Sequence, residues 1–134
     1  MKENTTPFED ENIVIDIPGV DGEKGLSLYG GEFDIYLSIL RSYAVNTPAV
    51  LDKLRAISKE TLPDYVISVH GLKGTSANIG AEKTRETALS LETMARSGDL
   101  DGVLAKNEKF IKDTENLVDS IKKWLEKYGE DYNI

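Results

Sequence analysis

The chain has 134 residues, 40% of them hydrophobic, enough to build one domain around one apolar core. It contains no cysteine, which excludes disulfides, thiolate metal sites and cysteine nucleophiles; 16 basic against 24 acidic residues give a formal charge of −8, which argues against nucleic acid as a partner. No apolar run reaches the length of a membrane span and Met1-Lys2-Glu3-Asn4-Thr5-Thr6 lacks a signal-peptide core, so the expected setting is the cytoplasm, without direct membrane insertion.

Residues 1–12 are polar and acidic and are expected to form a flexible tail or linker, of the kind left when a domain is cut from a longer chain. Residues 13–134 are expected to form the folded domain. Ile13-Val14-Ile15-Asp16-Ile17 has the composition of a strand but no later strand to pair with, so it is read as an extended lead-in packed on the body. Pro18-Gly19 turns the chain, and Asp21 caps a short helix that runs to about Leu28 and stops at Gly30-Gly31.

From Glu32, the residues Phe33, Tyr36, Leu37, Leu40, Tyr43 and Ala44 recur at helical spacing. Thr47-Pro48 reads as a new N-cap with a first-turn proline, starting a second segment, nearly continuous with the first, that carries Val50, Leu51, Leu54 and Ile57. Thr61-Leu62-Pro63-Asp64 opens the next helix, in which Tyr65, Val69, Leu72, Ser76 and Ile79 form the inner stripe up to Gly80. Ala81 opens a helix with Ala88, Leu91 and Ala95 inward, ending at Gly98.

Asp99 caps the last and longest helix. Its stripe is Leu100, Val103, Leu104, Asn107, Phe110, Ile111, Leu117, Val118, Ile121, Trp124, Leu125 and Tyr128, broken by the polar Asn107 and Thr114. Short connections between long amphipathic helices make neighbours antiparallel. The expected fold is therefore all-α: an up-and-down antiparallel four-helix bundle with a short extra N-terminal helix.

His70 is the only histidine. With Tyr65 at zero on a wheel of 100° per residue, the inner residues fall within about 40° of it, while Lys73 lies at about 80°, His70 at about 140° and Gly74 at about 180°. The imidazole thus points away from the core beside a lysine and a glycine. A solvated histidine without a role is the ordinary explanation of such a position, but Gly71 and Gly74 each cost the helix about 1 kcal/mol relative to alanine.

A glycine at position 74 leaves room for another protein to approach the ring. Lys73 supplies a cation suited to a phosphoryl group held on the imidazole. Counting back from Gly80 places His70 about 15 Å from the turn, level with residues near Ser90 to Glu92 on the returning helix. A Glu92 carboxylate accepting from one ring nitrogen would fix the tautomer and leave the other nitrogen nucleophilic. Val66 and Ile67 flank His70 and are expected to form an apolar docking rim.

The stretch His70-Gly71-Leu72-Lys73-Gly74-Thr75-Ser76-Ala77-Asn78-Ile79-Gly80-Ala81 resembles the signature of histidine-containing phosphotransfer (HPt) domains, His-x-Leu-Lys-Gly followed by small residues and Leu/Ile-Gly-Ala. The resemblance extends upstream through Pro18-Gly19-Val20-Asp21 and Gly25-Leu26 to Tyr36 and Leu37, and downstream to Leu91-Glu92. It implies a four-helix bundle with His70 as phosphoryl acceptor, Lys73 as its positive partner, Gly74 as the opening for a receiver domain and Glu92 as a polar partner of the histidine. Gly71 departs from the Ser, Thr or Ala common in the family and implies a looser helix there.

The resemblance further implies a carrier rather than an enzyme, exchanging phosphoryl groups with aspartates of response-regulator receiver domains, including those of a hybrid sensor histidine kinase. No cofactor or metal of its own is expected, because magnesium would come with the receiver. A kinase of that sort is often membrane-bound, and this chain would then be its cytoplasmic domain. Two further readings keep the fold: the phosphotransfer domain of a chemotaxis-type kinase, phosphorylated by an ATP-binding domain, and a helical adaptor that is never phosphorylated.

Other motifs are weak. The glycines between Gly19 and Gly31 lack P-loop spacing. Asp99-x-Asp101-Gly102 has its glycine at the wrong loop position for calcium, and capping explains Asp99 better.

Overall fold

The computed structural model describes residues 15–132. Among them are five helices and no strand: α1 (Gly22–Ser27), α2 (Phe33–Lys53), α3 (Leu62–Ala77), α4 (Glu82–Arg96) and α5 (Leu100–Tyr132). No helix among the described residues is long and apolar enough to cross a membrane. Residues 1–12, expected as a tail, and Ile13-Val14 lie outside the described residues.

Ile15, Asp16 and Ile17 form no regular element, and Ile17 is buried in the core, so this part of the chain leads in along the body. Asp21 caps α1 by accepting from the Lys24 N–H at 3.1 Å. At the other end of the molecule Asp99 caps α5 by accepting from the Gly102 N–H at 2.9 Å. The carboxylate at each cap satisfies a donor that has no partner inside its helix.

The break expected at Thr47-Pro48 does not occur. Pro48 lies inside a continuous α2, and Thr47 is buried within it. Proline removes one backbone hydrogen bond. Tyr43, Ala44 and Leu51 nevertheless stay in one buried stripe, and their packing outweighs the local signal. The helix ends at Lys53, so Ile57 packs on the core from the loop beyond it.

In the same way Ile79 is buried just past the end of α3, in the turn. Leu104, expected on the inner stripe of α5, is exposed. Asn107 and Thr114, the polar breaks in that stripe, are both buried and satisfied. Asn107 accepts from the Tyr65 hydroxyl at 2.7 Å and donates to the Leu54 carbonyl at 2.8 Å, tying α5 to α3 and to the end of α2. Thr114 donates to the Phe110 carbonyl one turn back.

Contacts between α2 and the α3 region run in reverse order along the chain. Tyr36 and Tyr43 of α2 meet Ile79 and Ser76, after and within α3, while α4 returns along α3 and α5 packs on both α4 and α2. The turn between α3 and α4 sets this arrangement. Ala81 N–H bonds to Ser76 carbonyl at 3.0 Å and Gly80 N–H to Ala77 carbonyl at 3.2 Å, with Gly80 at φ 83°, a left-handed helix stop that favours glycine.

Three successive carbonyls of this turn accept donors from outside it. The Tyr29 hydroxyl bonds Asn78 at 2.7 Å, the Tyr36 hydroxyl bonds Ile79 at 2.8 Å, and the Asp21 N–H bonds Gly80 at 2.9 Å. Burial pushes the Tyr36 phenol upward in pKa, so it stays a protonated donor. Gly25 makes the approach of α1 possible, because a Cβ there would sit 2.7 Å from the Ile79 carbonyl.

Replacing Tyr36 with phenylalanine leaves the Ile79 carbonyl buried without its donor. The expected loss is about 1–3 kcal/mol of unfolding free energy, read from the urea midpoint at unchanged slope. An unchanged midpoint would show that the turn is anchored by its backbone alone.

Candidate functional site

His70 sits in the middle of α3, between the buried Val69 and Leu72, and its side chain is 57% exposed. Its Nδ1 lies 2.8 Å from Oε2 of Glu92 on α4. Glu92 is itself only 5% exposed. What covers it is a ring of polar side chains more than the hydrophobic core: Lys73 Nζ is 2.8 Å from Oε1, and Arg96 donates to Oε2 from Nε at 3.1 Å and from Nη2 at 2.8 Å.

Burial on its own would raise the pKa of the Glu92 carboxyl. Lys73, Arg96 and His70 reverse that and together hold it at about 2. Glu92 is therefore ionised and can only accept. The imidazole nitrogen facing it then carries the proton, and Nε2 keeps its lone pair.

Lys73 does not extend freely into solvent. Its side chain is 26% exposed, and its Nζ is paired with the Oε1 oxygen at 2.8 Å. Gly74 and Gly71 both face open space, and a Cβ at either would meet nothing within 4 Å. Neither glycine is needed for packing within this chain.

The docking rim divides. Ile67 is 71% exposed, as expected of its place on the outer face. Val66 is half-buried against the core and is not part of an exposed rim. Glu92 of α4 meets His70 and Lys73 on the flank of α3 that the helical wheel also assigns to Val66, whereas Ile67 and Gly74 lie further round, toward solvent.

Arg96 was not singled out from the sequence. It is one turn beyond Glu92 on α4, a spacing that makes an ion pair natural. The signal was there, but nothing in the sequence marks Glu92 as buried and so in need of a second cation. Among the described residues no group of three or more histidine, aspartate or glutamate side chains is placed to hold a metal ion.

Because the folded state lowers the Glu92 pKa, the unfolded chain binds its proton more readily. The stability contributed by this ion cluster is complete above the ordinary carboxylate value near 4.5 and is lost as pH falls toward about 2. Glu92→Gln should flatten that part of the stability curve, measured by urea unfolding at a series of acid pH values. A parallel curve for the variant would mean that the cluster contributes nothing to acid stability.

Neither the curated proteins nor the solved structures include a significant match to this sequence. The profile of the Hpt domain, in contrast, matches residues 38–124, which takes in α3 and α4 entire, most of α2 and about the first three quarters of α5. With that match over more than half of its length, the chain belongs to the Hpt domain family.

Proposed function

We infer from membership in this family that the chain takes part in histidine phosphotransfer in phosphorelay signalling. We propose that His70 is the phosphoryl-accepting residue, that the donor is the aspartyl phosphate of a receiver domain, and that a second receiver aspartate takes the group onward. The observation that carries this reading is an exposed imidazole whose Nδ1 is 2.8 Å from a buried, ionised carboxylate. Such a ring has a fixed tautomer and a free nucleophilic nitrogen.

In the transfer, the Nε2 lone pair of His70 attacks the phosphorus of the acyl phosphate in line. The N–P bond forms as the P–O bond to the aspartate breaks, and that electron pair leaves on the carboxylate. The ring becomes a phosphoimidazolium, whose remaining N–H faces Glu92. Its positive charge is matched by the carboxylate, and Lys73 can turn from Oε1 to the phosphoryl oxygens.

The receiver supplies magnesium and the acidic pocket, so this domain is a carrier without turnover of its own. The open flank at Gly74 and the exposed Ile67 support docking of receivers on that side of α3, including one belonging to a hybrid sensor kinase. The four long helices α2 to α5 serve as an up-and-down bundle that presents this face. Its working compartment is the cytoplasm, where receivers and kinases meet.

Incubation with phosphorylated receiver domains, and separately with a kinase and ATP, tests the reading. Acid-labile, base-stable label is expected on the wild-type chain with receivers and none on His70→Gln. Label that persists in the variant, or that never forms with any donor, would overturn it.

Gly74→Ala separates access from stability. The variant should be more stable by up to about 1 kcal/mol, because the site is open and alanine favours the helix. Transfer from the receiver should nonetheless slow, and more so for Gly74→Leu. Undiminished transfer in both variants would remove Gly74 from the docking surface.

A further inference from the structure

The two oxygens of Glu92 are held in different ways. Oε2 faces His70 Nδ1 and also accepts both Nε and Nη2 of Arg96. Among the described residues, Oε1 has a single charged partner, Lys73 Nζ at 2.8 Å. Arg96 is on the same helix as its carboxylate, whereas Lys73 reaches across from α3.

We propose that Arg96 is a positioning residue for His70, holding Glu92 Oε2 on Nδ1 and so setting the imidazole tautomer, while Lys73 is the cation left free to move. The purpose of this division of labour rests on the phosphotransfer reading above. The contacts that argue for it do not.

A carboxylate can turn about its own axis, and the turn exchanges or withdraws the oxygen that accepts from the ring. Two donors of one planar guanidinium on a single oxygen oppose that rotation in a way that one ammonium cannot. At 58% exposure, Arg96 also lies at the rim, where it needs no deep burial to act.

The need for two cations becomes plain when negative charge arrives on Nε2. Lys73 is then drawn from Oε1 toward the phosphoryl oxygens. With Lys73 as sole counter-ion, Glu92 would be left charged and largely shielded from water, and it would tend to take up a proton. A protonated carboxyl no longer acts as a pure acceptor toward Nδ1. Arg96 stays behind and keeps it ionised.

The ring nitrogens report this directly. In nitrogen-15 NMR spectra of the neutral ring, the wild-type chain should show mostly the Nδ1–H tautomer. Arg96→Ala should lose at least half of that population, Arg96→Lys should restore most of it, and Lys73→Met should retain it. In transfer from a phosphorylated receiver, Arg96→Ala and Lys73→Met should both be slower by about tenfold, which corresponds to about 1.4 kcal/mol of lost transition-state stabilisation.

Amide spectra of the same samples establish that each variant is folded. A wild-type ring spectrum in folded Arg96→Ala would overturn the proposal, as would an equal loss of the Nδ1–H form in Lys73→Met. Because the tautomer is read without any phosphoryl donor, failure of His70 to be labelled would strike the phosphotransfer reading and not this one.

Discussion

The geometry around His70 depends on the anchoring of one turn. His70 and Glu92 lie on different helices, and their contact exists only if α3 and α4 keep a fixed register. Gly80 reverses the chain, and the hydroxyls of Tyr29 and Tyr36 with the Asp21 N–H hold the carbonyls of residues 78 to 80. A slip of one residue would rotate Glu92 by about 100° and carry it out of reach of the imidazole. The short α1, which carries none of the site's side chains, is for this reason part of what builds it.

At the site the main electrostatic problem is a carboxylate sheltered from water. An unpaired charge in such a place would be costly or would be neutralised by a proton. Glu92 is instead surrounded by Lys73, Arg96 and His70, and its pKa of about 2 records that the three together outweigh desolvation. The arrangement costs the chain three specific side chains in fixed places. It returns an imidazole that is both exposed and oriented, a combination that solvent exposure alone would not give.

Much of this could be read from the sequence, for reasons that differ by residue. The helices were legible because Tyr36, Leu40, Tyr43, Val69, Leu72, Leu91 and Ile121 mark buried stripes at the period of the helix. Counting back from a glycine stop put Glu92 level with His70, since a tight hairpin leaves little freedom of register. Val66 was misplaced because a wheel gives direction from one axis and does not say which flank a neighbour will cover. Pro48 misled because local preference yields to packing on either side of it. Arg96 carries no such mark in the sequence, because its meaning depends on the burial of Glu92, a property of two helices together.

The glycines separate into two groups by what surrounds them. Gly25 and Gly80 are held against other backbone, where a side chain would collide with the Ile79 or Asp21 carbonyl, so the fold itself requires them. Gly71 and Gly74 have open space where a side chain would be, and alanine at either would favour the helix. No requirement of this chain's own packing accounts for the second pair. They lie on the exposed side of α3 next to the one imidazole, and the backbone there is bare to anything that approaches the ring. The stability forgone at those two positions is intelligible if the surface they shape is completed by a second protein whose reacting group must come within bonding distance of His70.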